Sequence, residues 1–188
     1  MPGIVAHMSV AKMVGEKLGI TDLDFYRGNL LPDILKGDKM DTHYKVQGKV
    51  FHIPDCDYYR NHFDLSNSLF LGYYTHLLLD YYFMDDFIPG ITTNRDIFHD
   101  KIIYEDYDKS NQTLIQYFGL DVKELLSILV FDGEEIDSKR LKTNLECLQK
   151  SKEGETQVIP IDEFILFLEE SASLIVQEIK KDKQYQLL

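Results

Sequence analysis

The chain has 188 residues, a formal charge of −12 at pH 7 and 44% hydrophobic residues, a composition typical of one globular domain. Its negative charge disfavours nucleic acid and anionic membrane surfaces as partners. The two cysteines, Cys56 and Cys147, form no CxxC pattern, which argues against a cysteine zinc site and against a disulfide scaffold.

The amino-terminal region predicts two helices. In the first, apolar residues recur at helical spacing, at Ile4, Met8, Ala11, Val14 and Leu18. Gly19 suits the end of this helix. A second helix is predicted from Asp22 through Leu31, because the residue before Pro32 disfavours the α conformation. Asp33 would then emerge at the end of the second helix.

A polar stretch follows, from Lys36 to Asp55, and contains His43 and His52. Its glycines and proline predict a long loop with a short extended pair between Tyr44 and Ile53. Loops of this length are uncommon inside a compact domain and are often functional.

The most informative segment is the apolar and aromatic run from Leu69 to Phe83, which predicts a buried helix. His76 and Asp80 are four residues apart, so this helix places them on one face. A buried aspartate costs several kcal/mol unless it is paired, hydrogen-bonded or bound to a cation. Two explanations stay open: either Asp80 bonds a buried tyrosine and His76 is an ordinary core histidine, or both residues bind a metal.

Capping residues and helical spacing predict the remaining helices. They run from Asp55 to His62, from Ser66 or Asn67 to Pro89-Gly90, from Asn94 or Asp96 to Gly119 with a bend near Lys109-Ser110, from Asp121 to Val130, from Ser138 to Lys150, and from Asp162 to Lys181. The stretch from Ser151 to Thr156 predicts a solvated loop. We therefore predict an all-α, single-domain bundle of about seven to nine helices.

All six histidines lie between residues 7 and 99, and three are beside aspartates in apolar surroundings. Imidazole and carboxylate groups together suit zinc or another divalent first-row metal. Any bound metal would be held by histidine, aspartate and glutamate side chains.

Four segments, in this order and spacing, resemble the zinc-dependent phospholipase C family, which has an all-helical fold shared with fungal single-strand nucleases. They are Met1-Pro-Gly-Ile-Val-Ala-His7, Gly28-Asn-Leu-Leu-Pro-Asp33-Ile, Thr42-His43-Tyr and Gly72-Tyr-Tyr-Thr-His76-Leu-Leu-Leu-Asp80-Tyr-Tyr-Phe. The chain is most similar to a short intracellular branch of that family. The resemblance covers residues 1–118, and residues 119–188 are expected to add carboxy-terminal helices.

The resemblance implies a phosphoesterase that uses metal-activated water to hydrolyse a small phosphorylated or phospholipid substrate. It assigns His7, Asp33, His43, His76 and Asp80 as ligands of one or two divalent ions, expected to be Zn²⁺. Asp80 would bridge to a second ion that His7 also binds. Asp33 would also be the catalytic general base.

The chain departs from the family pattern after the central helix. Secreted members of the family have a further histidine and then an HxxxE pair, whereas this chain has only His99 and carries Ile103, so the full three-zinc cluster is not expected. A substitute ligand group of His99 with Asp100, Glu105, Asp106 or Asp108 is disfavoured, because an acidic helical face is normally exposed to solvent.

Two other functions stay open. An HD-type phosphohydrolase would use His99-Asp100 as its central ligand pair, and a non-catalytic helical protein would retain a residual metal site or none. His52 competes with His43 as the loop ligand, and the Thr-His-Tyr match favours His43. His62 is expected on the surface of a short helix.

The amino terminus lacks the basic segment and apolar run of a secretion signal, and no run approaches the ~20 apolar residues of a membrane span. We therefore expect a cytoplasmic protein without stable membrane insertion. Three lysines near the predicted site, Lys36, Lys39 and Lys45, either steer an anionic substrate or are merely solvated.

Overall fold

The secondary structure is almost entirely helical. The computed structural model describes residues 2–150, 152 and 154–181. In this part of the chain the helices are α1 Ile4–Leu18, α2 Leu23–Ile34, α3 Lys39–Thr42, α4 Cys56–His62, α5 Ser68–Tyr82, α6 Ile88–Ile91, α7 Asp96–His99, α8 Ile102–Tyr117, α9 Val122–Ile128, α10 Ser138–Gln149 and α11 Ile161–Lys181. A π-helical segment, Phe83–Phe87, joins α5 to α6, and β1 Lys45–Gln47 pairs antiparallel with β2 His52–Pro54. The predicted all-α, single-domain fold is confirmed.

Helices α2 and α5 make the most extensive contact between two helices in the described residues, and two glycines permit it. A Cβ atom on Gly28 would lie 1.9 Å from the carbonyl oxygen of Leu69, and one on Gly72 would lie 1.9 Å from that of Phe25. Non-bonded atoms cannot approach so closely, so only glycine lets the two backbones meet. The carboxy-terminal half of α2 therefore lies directly against the polar residues of α5.

Helix α1 connects the two halves of the chain. It packs against α2, α5 and α8, which precede residue 118, and against α10 and α11, which follow it. The strongly amphipathic α11 buries Phe164, Leu168 and Ile175 in this core. The helices after residue 118 thus complete the core that the first helices begin.

A buried carboxylate joins α8 to the segment that leads into α11. The Asp106 side chain is buried and accepts hydrogen bonds from the backbone N–H groups of Gln157, Val158 and Ile159, at 2.8, 2.7 and 3.0 Å. Bonds of this kind to a charged acceptor are among the stronger ones in proteins. The expectation that Asp106 belongs to an exposed acidic face is wrong.

Helix α2 does not end before Pro32, as predicted, but continues to Ile34. A proline in the last turn removes one hydrogen bond, yet the Leu35 N–H still bonds the Leu31 carbonyl at 3.0 Å. Packing of α2 on α5 outweighs the local preference of the residue before proline. Asp33 consequently lies inside the last helical turn, where it is 6% exposed.

The helix predicted from Asn94 or Asp96 to Gly119 is broken, and the break is not at the predicted position. Helix α7 ends at His99 and α8 begins at Ile102, with Lys101 between them in a left-handed conformation, at φ 62°. The break lets Phe98 pack on Phe51 while Ile103, on the next helix, is buried in the core.

The ends of the other helices differ less from the predicted ones. The central helix continues as a π-helical segment and α6 through Pro89-Gly90 to Ile91, and Asp137, rather than Ser138, caps α10 with its side chain. The predicted caps Asp55, Asn67 and Asp121 each accept a backbone N–H. Of the predicted loop from Ser151 to Thr156, Ser151 and Glu153 lie outside the described residues. None of the helices described is both long and apolar enough to cross a membrane.

Candidate metal centre

The structure brings all five predicted ligand residues together in the core. His7 comes from α1, Asp33 from the last turn of α2, His43 from the residue after α3, and His76 and Asp80 from successive turns of α5. His43, His76 and Asp80 are 0% exposed, His7 is 1% exposed, and Asp33 is 6% exposed. Residues as far apart as 7 and 80 in the sequence therefore form one buried cluster.

Three donor atoms of this cluster form a nearly regular triangle. His43 Nε2 and His76 Nε2 are 3.3 Å apart, His76 Nε2 and Asp80 Oδ2 are 3.4 Å apart, and His43 Nε2 and Asp80 Oδ2 are 3.6 Å apart. Ligands bound tetrahedrally to zinc at about 2.1 Å lie about 3.4 Å from one another. The spacing of the three atoms thus fits three ligands of a single ion.

His7 and Asp33 extend the cluster on either side of this triangle. His7 Nε2 lies 3.4 Å from Asp80 Oδ1, and Asp33 Oδ1 lies 3.6 Å from His43 Nε2. One oxygen of Asp80 therefore faces His43 and His76, whereas the other faces His7. Donor atoms of His7, Asp33 and His76 also lie within 4.8 Å of one another, as do those of His43, His76 and Asp80.

The backbone of α2 fixes the orientation of the His76 ring. His76 Nδ1 lies 2.8 Å from the carbonyl oxygen of Asn29, which can only accept a hydrogen bond. Nδ1 therefore carries the proton, and Nε2 presents its lone pair to His43 and Asp80. A histidine whose second nitrogen donates to a carbonyl is the usual arrangement in metal sites.

His43 is held by the turn that ends α3. Its Nδ1 lies 3.0 Å from Thr42 Oγ1, and the Tyr73 hydroxyl of α5 donates to the Thr42 carbonyl. Tyr44 then reverses the chain with a positive φ of 49°. These contacts direct the His43 ring into the core although its neighbours Tyr44 and Lys45 are only partly buried.

The cluster contains polar atoms that have no hydrogen-bond partner in the described part of the chain. Both nitrogens of His7 and both oxygens of Asp80 are buried, and none makes a hydrogen bond with another described residue. A carboxylate in this state costs several kcal/mol, which a bound cation offsets. A tyrosine donating to Asp80, the alternative suggested by the sequence, is absent from the described residues. These buried groups could hold a metal ion.

Burial favours the neutral forms of His7 and His43, whereas neighbouring groups favour the charged form of Asp33. Burial, and then the neighbouring His76, lowers the pKa of His7 to about 4, and burial lowers the pKa of His43. Burial alone would raise the pKa of Asp33, but the Lys39 ammonium at 2.6 Å and His43 hold it well below its usual range. Histidine and aspartate bind metals in these protonation states.

The pKa of Asp80 responds to the same opposing effects. Burial acts to raise it, whereas the imidazoles of His76 and His7 hold it well below its usual value. Asp80 is consequently a charged group in the interior of the protein.

A cavity of about 650 Å³ lies beside the cluster, and Asp33 lines it. Its wall also includes three cationic side chains, from Lys39, Lys45 and Arg95. Cavities of roughly 300–1,000 Å³ are typical of small-molecule sites. Asp33 therefore connects the buried cluster to a space in which a small ligand fits.

The other histidines lie outside the cluster. His52 is exposed and lines the cavity, and His62 is exposed and stacks on Tyr58 with ring centroids 4.0 Å apart. The His99 side chain is 88% exposed and pairs with Asp100 at 3.2 Å. The pair on which an HD-type centre would depend is thus on the surface.

Several residues of the site were not identified from the sequence. Asn29 contacts His76, and Thr42 contacts His43. Both lie inside segments that carry the family resemblance, so the sequence offered a signal that they belong to the site. Arg95 and Tyr107 line the cavity, and no local pattern distinguishes them from surface or core residues. Of the three loop lysines, Lys39 and Lys45 line the cavity, whereas Lys36 is exposed.

No protein-family model matches the chain, and neither a curated protein nor a solved structure matches it. The likeness to zinc-dependent phospholipase C therefore depends on the four short segments and stays a hypothesis.

Proposed function

We propose that this protein is a metal-dependent hydrolase, a zinc-dependent phosphoesterase that resembles zinc-dependent phospholipase C. One observation carries the proposal. The charged, buried Asp80 carboxylate has no hydrogen-bond donor among the described residues and faces the nitrogens of His7, His43 and His76 instead. Such an arrangement is costly in a protein without a cation and is expected in one that binds a cation.

In the proposed centre, His43, His76 and Asp80 hold an ion through the triangle of donor atoms. His7 and Asp33 complete its ligand set or contribute to a second ion through the other oxygen of Asp80. Imidazole and carboxylate ligands suit Zn²⁺, and a zinc ion lowers the pKa of a bound water toward 7.

Asp33 is the residue that we assign as general base. It is the member of the cluster that lines the cavity, so a water at the cavity wall can approach its carboxylate. The Lys39 ammonium keeps Asp33 ionised, so its carboxylate carries no proton before the water attacks. As the water attacks phosphorus, its proton would pass to Asp33.

The substrate class follows from the same cavity. Cationic side chains in a chain of net charge −12 favour an anionic ligand, which agrees with a small phosphorylated molecule or a phospholipid headgroup. The metal identity and a cytoplasmic location stay predictions from the sequence.

The test combines metal analysis with hydrolysis. Protein purified without added metal is examined by inductively coupled plasma mass spectrometry and assayed with p-nitrophenyl phosphate and bis(p-nitrophenyl) phosphate. We expect bound zinc and turnover of at least one ester, with both lost in His76→Ala and both retained in the control His99→Ala. Bound metal without turnover would contradict the hydrolase and leave a structural metal site. Loss of metal on His99→Ala would instead favour an HD-type centre.

A further inference from the structure

The charges on the cavity wall do not balance. Among the described residues that line it, Asp33 pairs with Lys39 at 2.6 Å, and Asp108 pairs with Lys152 at 3.4 Å. Lys45 and Arg95 also line the wall, and neither has a carboxylate within 4 Å in the described part of the chain. The cavity is therefore lined by three cationic side chains and two carboxylates, an excess of one positive charge in a protein whose net charge is −12, and Lys45 and Arg95 are the two cations without a paired carboxylate among the residues described.

Arg95 is exposed, and a hydrogen bond attaches it to the loop between β1 and β2. One of its guanidinium nitrogens donates to the carbonyl oxygen of Val50, which leaves its other N–H groups available. Lys45 begins strand β1, two residues after the ligand candidate His43. Both cations are thus attached to the segment from residue 43 to residue 50, which carries the candidate ligand His43.

A buried hydroxyl in the same wall has no partner. Tyr107 lines the cavity, its side chain is 6% exposed, and its hydroxyl makes no hydrogen bond with any described residue. Buried tyrosine hydroxyls normally have a hydrogen-bond partner. Because a phenol can donate to a phosphate oxygen, this group is an unused hydrogen-bond donor on a residue of the cavity wall.

The remainder of the wall contains apolar and aromatic side chains beside polar ones such as Asn111, Thr143 and Asn144. Phe51 and Phe98 meet edge to face there with ring centroids 5.4 Å apart, and Met84 lies in the same lining. An anionic group at the polar end and an apolar or ring-shaped group against the aromatic side chains would occupy both parts of the cavity.

We propose that this cavity binds the phosphate dianion of a phosphomonoester whose ester group is apolar or aromatic. Lys45 and Arg95 neutralise the two charges, the Tyr107 hydroxyl donates to a phosphate oxygen, and the ester group packs on Phe51 and Phe98. The inference rests on the proposed function and narrows its substrate from phosphate esters in general to monoesters. Lys45, Arg95 and Tyr107 are binding residues, and the transfer of the proton stays with Asp33.

The experiment measures binding separately from hydrolysis. Phenyl phosphate, a dianion at pH 8, and diphenyl phosphate, a monoanion, are titrated calorimetrically into zinc-loaded and zinc-depleted protein. We expect phenyl phosphate to bind about tenfold more tightly than diphenyl phosphate. Lys45→Gln should weaken phenyl phosphate binding about tenfold, and Tyr107→Phe should weaken it severalfold, with unchanged metal content. Lys49→Gln, which removes an equal charge from a residue that pairs with Asp85 outside the cavity, is the matched control.

Equal affinity for the two esters, or equal effects of Lys45→Gln and Lys49→Gln, would overturn the inference. If the parent protein holds no zinc but still prefers phenyl phosphate in this Lys45-dependent way, the proposed hydrolase is wrong and the binding site stands. Vesicles containing phosphatidic acid, which presents the same monoester headgroup, identify the source of the ligand. If the protein cosediments with these vesicles and phenyl phosphate abolishes the cosedimentation, the ligand is a lipid. If the protein binds phenyl phosphate but does not cosediment with the vesicles, the ligand is a soluble ester.

Discussion

The imidazole rings of His7 and His76 lie face to face, with centroids 3.7 Å apart and planes only 4° from parallel. Two charged imidazolium rings would repel each other in this arrangement, and burial together with His76 lowers the pKa of His7 to about 4. Helices α1 and α5 are thus joined by stacked imidazole rings whose Nε2 atoms face the carboxylate of Asp80.

The low pKa of His7 predicts that the zinc-depleted protein loses stability in mild acid. In the unfolded chain His7 binds a proton near pH 6.5, whereas in the folded chain it does so only near pH 4. The unfolded state therefore binds more protons in this interval, and stability falls as the pH decreases from 6.5 to 4. The full change is on the order of 3 kcal/mol.

Urea unfolding of zinc-depleted protein at pH 7.0 and pH 5.0 measures this loss. His7→Gln removes the titrating group and should reduce the difference between the two pH values. His62→Gln, at an exposed position, should leave this difference unchanged. An equal loss of stability between pH 7.0 and pH 5.0 in the parent and in His7→Gln would contradict the role of His7.

Asp80→Asn should remove the stabilisation that zinc gives to the parent. The variant loses a ligand charge, so bound zinc should fall to background, and its free energy of unfolding should no longer rise when zinc is added. Thermal unfolding of both proteins with excess zinc and with a chelator measures this difference. Asp100→Asn, at the surface, is the control, and a zinc-dependent rise in Asp80→Asn equal to that of the parent would argue against a cation at this position.

Gly28→Ala and Gly72→Ala should each lower the free energy of unfolding by about 2–4 kcal/mol, because the added methyl group would enter the space of a backbone carbonyl. Gly90→Ala has open space around the new Cβ atom and should be neutral or slightly stabilising. Chemical denaturation measures the free energy of unfolding of the three variants and of the parent. Similar values for Gly28→Ala and Gly90→Ala would show that α2 and α5 do not approach as closely as the structure indicates.

Asp106→Ala should destabilise the protein by roughly 3 kcal/mol, since three backbone N–H groups of residues 157–159 lose their acceptor. Asp106→Asn keeps an acceptor oxygen and should lie between Asp106→Ala and the parent. Glu105→Ala, on the exposed side of the same turn, should change stability by less than about 1 kcal/mol. Hydrogen exchange at 157–159 provides the local readout, and unchanged protection in Asp106→Ala would be the contrary result.

Lys101→Gly should stabilise the protein by up to about 1 kcal/mol, because glycine adopts the left-handed conformation of this position without steric cost. The same replacement inside α8, at the exposed Gln112, should destabilise by about 1 kcal/mol. Urea unfolding should show a higher free energy of unfolding than the parent for Lys101→Gly and a lower one for Gln112→Gly. A loss of stability in both variants would mean that Lys101 does not have its positive φ in solution.

The fold class and the adjacency of His76 and Asp80 could be predicted because their signals are local, whereas the full set of five candidate ligands came from the resemblance to the phospholipase C family. His76 and Asp80 stand out among apolar neighbours at a spacing that only a helix converts into adjacency. Asp106 has no such signal, since it lies between Glu105 and Tyr107 on an acidic helix and its partners are 51–53 residues away. The extension of α2 past Pro32 and the break at Lys101 depend on packing with distant segments, which a local reading cannot include.

The contact between α2 and α5 has a consequence for how ion affinity can be tuned. Gly28 permits the contact, and the next residue, Asn29, orients the imidazole of His76 through its main-chain oxygen. Separation of the helices would rotate that ring away from its co-ligands. In the proposed metal centre, ion binding and helix docking would accordingly be reciprocal: a change that loosens the docking would weaken ion binding, and a bound ion would stabilise the docked helices by the same free energy.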